Sequence, residues 1–253
     1  MAVEEEEIEG DDDIDIDQIK DKQIVVPGEV LSEDLENFNP GRGTIRKDDK
    51  IVSVYVGLKV IRKNFINVIP LRGIYNPKPG DKVIGIVIDK NPVKWKLDIN
   101  AKYFGILKPS NTLKNQKSRR PRGEQPSTED LDVGDVLIVK VIQADRLHHP
   151  ELTTVGKFLG KRHSGRIIEI PPPKIPRIIG RKGSMINLLK KMTKCNIFVT
   201  QNGRIWIQGD DIEHECLLID TIYKIENEAH TSGLTDRIKE FILNEKSKRG
   251  IDQ

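Results

Sequence analysis

The sequence predicts a multidomain chain: a small all-β N-terminal domain, a five-stranded β-barrel, and a C-terminal α/β domain closed by an extra helix. Three observations predict it. The 253 residues exceed one typical domain. Two β-rich runs open on the same dipeptide, Gly80-Asp81 and Gly134-Asp135. Finally, Gly180-Arg181-Lys182-Gly183 separates two helical patterns, and two β-rich runs joined by Asn202-Gly203 follow.

The first segment, residues 1–23, reads as an acidic flexible tail. Glu4 to Asp17 carries ten carboxylates and no cation, too much charge to fold alone. The net charge of +3 therefore conceals a basic body, in which 42 cationic residues face 29 carboxylates, a net of +13. A basic body behind an acidic tail points to a polyanionic partner for the body.

Residues 24–75 read as the N-terminal β domain. Val25 to Glu29 forms a strand ending in a turn, and Asn39 to Thr44 forms a loop. Ile51–Ile61 and Phe65–Leu71 form strands paired through Arg62-Lys63-Asn64. The stretch offers no catalytic constellation, which suits docking to a partner.

Residues 76–150 carry the barrel pattern. Lys82–Asp89 alternates, Trp95–Ile99 and Phe104–Leu107 follow, and Leu131–Ile142 repeats the Gly-Asp opening. This resembles the OB-fold RNA-binding domain named after the first small-subunit ribosomal protein, a barrel that stacks bases and tracks the backbone with cations. Trp95 and Tyr103 are the candidate stackers, while Phe104 reads as barrel core. Where that family often shows Gly-Phe-Val-His, this chain has Gly105-Ile106-Leu107-Lys108, so an aromatic ring and a histidine are missing. Lys108 and the cations Arg119, Arg120 and Arg122 of the following loop supply electrostatic contact instead.

Residues 151–164 read as a basic linker. Its glycines suggest a nucleotide loop, but Gly156 and Gly160 enclose three residues where a P-loop needs four. Its cations would extend a polyanion path.

Residues 165–253 complete the chain. Gly165–Ile170 reads as a strand stopped by Pro171-Pro172-Pro173, and Lys174–Ile179 as a short helical turn. The loop Gly180–Gly183 precedes a helix over Ser184–Lys194. Glycines three apart let the backbone turn tightly, and the amides opening a helix, with Arg181 and Lys182, suit a phosphodiester. Strands Ile197–Val199 and Ile205–Ile207 flank Asn202-Gly203, a short hairpin signal. A helix spans Ile212 to Ala229 with Ile212, Cys216, Ile219 and Tyr223 on one stripe, and Leu234, Ile238, Phe241 and Ile242 mark one more helix. The order β-α-α-β-β-α, with GXXG between the first two helices, resembles a KH domain of the first type, whose loop clamps about four nucleotides.

Cys195 and Cys216 lack metal or disulfide spacing and read as buried thiols of a reducing compartment. The five histidines lack ligand spacing, and adjacent His148-His149 read as solvated. No signal peptide and no bilayer-spanning run is visible, which predicts a soluble, cytoplasmic protein without a membrane partner.

The tail, β domain, barrel and single KH pattern together resemble the archaeal exosome RNA-binding cap subunit from Val25 to about Glu245, most specifically in Ile24–Val30, Gly80–Asp89 and Gly165–Ile186. Thr200-Gln201-Asn202-Gly203 is similar to the family's Gly-X-Asn-Gly signature, with threonine in place of the first glycine. The resemblance implies a non-catalytic protein without cofactor or metal. It would sit beside other cap subunits on a ring of RNase PH-like subunits and guide single-stranded, adenine-rich RNA to the pore for 3′-to-5′ degradation. It also implies RNA contact by Gly180, Arg181, Lys182, Gly183 and Ser184, with Arg177 beside them. A transcription elongation or antitermination factor is the alternative, but such factors usually carry two KH domains and this chain has one GXXG. Enzymes of the polynucleotide phosphorylase type place these modules in reverse order behind catalytic domains that have no counterpart here.

Overall fold

A computed structural model describes residues 23–112, 131–145, 147–229, 231 and 233–250. The acidic run and the loop bearing Arg119, Arg120 and Arg122 lie outside the described residues. Contacts divide the chain into two compact units, one through Ile69 and one from Pro70 onward. Among the described residues, no helix is long and apolar enough to cross a membrane.

The first unit contains two small sheets. In chain order its strands are β1 (Ile24–Val25), β2 (Val30–Ser32), β3 (Asn39–Pro40), β4 (Thr44–Lys47), β5 (Lys50–Ser53), β6 (Gly57–Arg62) and β7 (Phe65–Pro70). They form sheets of order β1-β6-β7-β3 and β2-β5-β4 around Val25, Leu31, Ile51, Ile66 and Val68. Asp48 and Asp49 both adopt positive φ between β4 and β5, the pattern of a two-residue type I′ hairpin. The sequence reads one strand over Ile51–Ile61; the structure breaks it at 54–56. There the Ser53 hydroxyl donates to the Tyr55 carbonyl at 2.7 Å, the Val54 amide turns to the Gly43 carbonyl, and the chain passes from one sheet to the other.

The second unit begins with the barrel: β8 (Lys82–Asn91), β9 (Lys94–Asp98), β10 (Gly105–Leu107), β11 (Val136–Gln143) and β12 (Glu151–Thr153). Pairing runs β12-β10-β9-β8-β11, and β11 returns to β12, which closes it. The repeated Gly-Asp pairs become reciprocal clasps. Gly80 N donates to Val141 O and Val141 N to Asp81 O, while Gly134 N donates to Val87 O and Val87 N to Asp135 O, all at 2.8–2.9 Å. Leu97, Leu107, Leu137, Val139 and Leu152 fill the interior. The closing strand and β13 (Gly160–Arg162), which pairs with β11, both lie in the stretch the sequence reads as linker.

The KH core follows: β14 (Arg166–Glu169), α1 (Ile175–Ile179), α2 (Ser184–Thr193), β15 (Asn196–Val199), β16 (Arg204–Gln208), α3 (Ile212–Asn227) and α4 (Leu234–Arg249). The sheet order is β14-β16-β15, all antiparallel. Side-chain alternation sorts the two faces of this sheet. Ile168, Ile197, Ile205 and Ile207 pack with the helices, whereas Ile167, Phe198 and Trp206 meet Ile84 and Ile138 of the barrel. The predicted stripe of α3 is corrected. Ile212, Cys216 and Tyr223 are exposed, and Leu217, Leu218, Thr221, Ile222 and Ile225 are buried, because α4 packs against α3 and turns that face inward. Only Cys195 is a buried thiol of the two; burial pushes its pKa up.

The hairpin between β15 and β16 is also not the two-residue turn that Asn-Gly suggests. Thr200 N donates to Arg204 O, and Gly203, at φ +85, closes a three-residue loop. A Cβ at Gly203 would lie 2.3 Å from Ile170 O. Asn202 is thereby turned inward and fully buried. Its amide donates to Ile84 O at 2.8 Å and Ile99 O at 2.9 Å, which fastens the KH hairpin to β8 and to the residue just after β9. Thr200 Oγ1 lies 2.6 Å from both Asn202 Oδ1 and Arg204 O, so the threonine that departs from the signature supports the asparagine through its hydroxyl.

Arg204, 4% exposed, completes the joint. It donates to Asp98 Oδ2 at 2.5 Å, Asp98 O at 2.6 Å and Glu169 Oε1 at 2.7 Å. Partial burial opposes ionisation of Asp98, but hydrogen bonds from Arg204 and the Asn100 amide outweigh it and hold the carboxyl below its ordinary value of 3.8. A carboxylate with a depressed pKa contributes stability above its unfolded pKa and loses it as pH falls through the folded value. Asp98→Asn is therefore expected to melt earlier than the native chain at pH 7. The gap should shrink as pH falls below about 4, as thermal melts across pH would show.

Candidate nucleic-acid interface

The GXXG loop is built by four backbone choices. Gly180 adopts φ 70, ψ 171, a region essentially restricted to glycine, and a Cβ there would meet Met185 N at 2.7 Å. Lys182 (φ 49) and Gly183 (φ 77) are left-handed, and Ser184 (φ −60, ψ −44) starts α2. Gly183 N donates to Gly180 O at 3.1 Å, which ties the loop together. No side chain caps α2; the Ser184 amide turns back to Arg181 O, and the amides that follow it in the first turn can face an acceptor from outside the helix. Arg181, Lys182 and Ser184 are exposed, and Gly180 and Gly183 are half-buried. Beneath them Ile178, Met185 and Leu189 pack into the core. Arg177 is half-buried on α1. The loop is a rigid backbone turn that carries two cations outward at a helix start, a geometry that fits phosphate oxygens.

On the barrel the structure rearranges the expected residues. Trp95 is 3% exposed and belongs to the barrel core, so it offers no ring face; its place as a stacker is corrected. Its position follows from alternation, since Trp95 and Leu97 point inward on β9 while Lys94, Lys96 and Asp98 remain partly exposed. Phe104, read as core, is instead half-buried and stacked on His149, with centroids 3.8 Å apart and planes at 20°. Tyr103 meets the same imidazole edge-on at 5.6 Å. Lys96 Nζ lies 5.4 Å from the Phe104 centroid and Lys102 Nζ 5.1 Å from that of Tyr103. His149 reaches these rings from the loop before β12. The link is backbone pairing, because Ile106 N donates to Pro150 O at 2.8 Å. Forty-five positions separate the two rings in sequence, and no local spacing signals their contact. Lys108 is exposed but engaged: its Nζ lies 2.9 Å from Glu151 Oε1, and that hydrogen bond holds the Glu151 carboxyl below its usual value.

The KH domain family matches residues 165–218. An exosome complex component Rrp4 from Methanosarcina mazei is 47% identical over 228 residues, covering 90% of this chain and 84% of that protein. Its counterpart from Thermococcus kodakarensis is 39% identical over 227 residues, covering 89% and 86%. A crystal structure of a chain provisionally assigned as an exosome complex RNA-binding protein superimposes with a TM-score of 0.63 at 38% identity, covering 70% of this chain and 99% of the other. With the barrel, the single KH domain and these relatives in agreement, the chain belongs to the family of Rrp4 components of the exosome complex.

Proposed function

We propose that the chain is a non-catalytic RNA-binding subunit of the exosome. It caps the ring of RNase PH-like subunits, with other cap subunits beside it, and passes single-stranded, adenine-rich RNA toward the pore for 3′-to-5′ degradation. The observation that carries this reading is the GXXG loop, with its uncapped helix start and outward Arg181 and Lys182. The barrel supplies a second contact through Tyr103, Phe104 and His149, flanked by Lys96 and Lys102. Rings with cations above them suit bases more than duplex backbones, which favours a single strand. The joint at Asn202 and Arg204 holds the two contacts in one body, so the second engages at high effective concentration. In the first unit, Ile24, Val26, Tyr55 and Phe65 are exposed apolar residues available for docking to the ring.

The test combines the full chain, the ring subunits, labelled RNA and phosphate. The chain alone is expected to bind RNA and leave its length unchanged, to co-elute with the ring, and to speed shortening by the ring. Shortening by the chain alone, or failure to co-elute, would contradict the reading.

A further inference from the structure

We propose that Phe158 is a third RNA contact, a base-stacking platform at the tip of the loop between barrel and KH core. Phe158 is 60% exposed and has φ +67. A bulky residue is a genuine outlier in that conformation. Leu159 N meets Gly156 O at 3.5 Å, so Phe158 is the third residue of a four-residue turn, where positive φ ordinarily selects glycine. The chain thus keeps a large ring in water on a backbone that disfavours it, and two supports keep it there. Arg162 donates to Phe158 O at 2.6 Å, and Leu159 packs against the cluster of Ile84, Ile138 and Trp206. Arg162 is itself fixed, with its guanidinium 5.0 Å from the Trp206 ring and its backbone in β13.

The surroundings select a nucleic acid over a protein partner. Between Glu151 and Glu169 the chain carries Lys157, Lys161, Arg162, His163 and Arg166 and no carboxylate. Lys161 pairs with Asp135 at 2.5 Å and Arg166 with Glu215 at 2.9 Å, so Lys157 and Arg162 are the cations that serve the ring. Lys157 Nζ lies 5.0 Å from the Phe158 centroid. An exposed ring with Lys157 over it and Arg162 holding its backbone is an arrangement that can stack a base without sequence preference. Strained residues held by their surroundings are a mark of such sites.

The inference rests on the RNA-binding reading above, and the test separates the two. Phe158→Gly removes the ring and relieves the backbone, so the variant folds. In anisotropy titrations of the full chain, it is expected to bind oligoadenylate about tenfold more weakly. Its affinity for polyphosphate, a polyanion without bases, and the slope of affinity against salt should be unchanged, and its Tm equal or higher. Phe158→Trp should restore oligoadenylate binding. If Phe158→Gly binds oligoadenylate like the native chain while the double variant Arg181→Ala/Lys182→Ala binds weakly, the platform is overturned and the RNA reading stands. If the double variant also binds normally, both fall. Equal losses on oligoadenylate and polyphosphate, or loss of co-elution with the ring alone, would likewise overturn stacking.

Discussion

Replacing Asn202 by aspartate is expected to lower the melting temperature of the chain by about 6–12 °C. Asn202 is fully buried and uses both ends of its amide: it donates to Ile84 O and Ile99 O and accepts from Thr200 Oγ1. Aspartate matches its shape but lacks the amide hydrogens, and once ionised it leaves both carbonyls without a donor. Each buried group left without a partner costs about 1–3 kcal/mol. Two such groups cost roughly 3 kcal/mol, and a chain of this size shifts by about 2–4 °C per kcal/mol. Because these carbonyls belong to the barrel, the variant should also loosen barrel from KH core and weaken RNA binding along with stability. A Tm within a degree of native would show that the joint does not depend on this residue.

The second large effect is expected in RNA binding. Removing both cations of the loop, Arg181→Ala with Lys182→Ala, should flatten the slope of log affinity against log salt by up to about 1.4. The figure follows from about 0.7 counterion released per neutralised phosphate of a single strand. The core should be unaffected, because both side chains point outward. Gly183→Asp is a complementary variant. A Cβ there comes no closer than 3.6 Å to any neighbour, and aspartate tolerates left-handed backbone, so the chain folds with a carboxylate where phosphate would lie. Gly180→Ala would be less clean, because its Cβ strikes the start of α2 and destabilisation would obscure the RNA effect.

Much of this was legible in the sequence, for local reasons. The GXXG loop, the helix from Ser184 and the alternating barrel strands announce themselves by spacing, and their local preferences agree with the fold. What stayed hidden depends on distant partners. Ile84 and Ile138 look like one half of an alternating strand, yet both faces are buried over Val83–Gly85 of β8 and Leu137–Val139 of β11, where the KH sheet covers the outer one. Buried Arg204 reaches Asp98 across 106 positions, and Asn202 reaches Ile84 across 118. Trp95 and Phe104 exchange expected roles because strand phase, not ring size, decides which points inward. The docking of α4 likewise moves the buried stripe of α3 off Cys216 and Tyr223.

On the proposed reading, single-stranded RNA lies at the KH loop with the barrel's aromatic surface beside it. Hydrogen exchange of the full chain, with and without saturating oligoadenylate, locates the contact. New protection is expected at the amides of Met185 and Ile186 in the first turn of α2, with slowed exchange around Tyr103 to Leu107. Saturated binding with protection confined to other segments, and none at the start of α2, would contradict that reading.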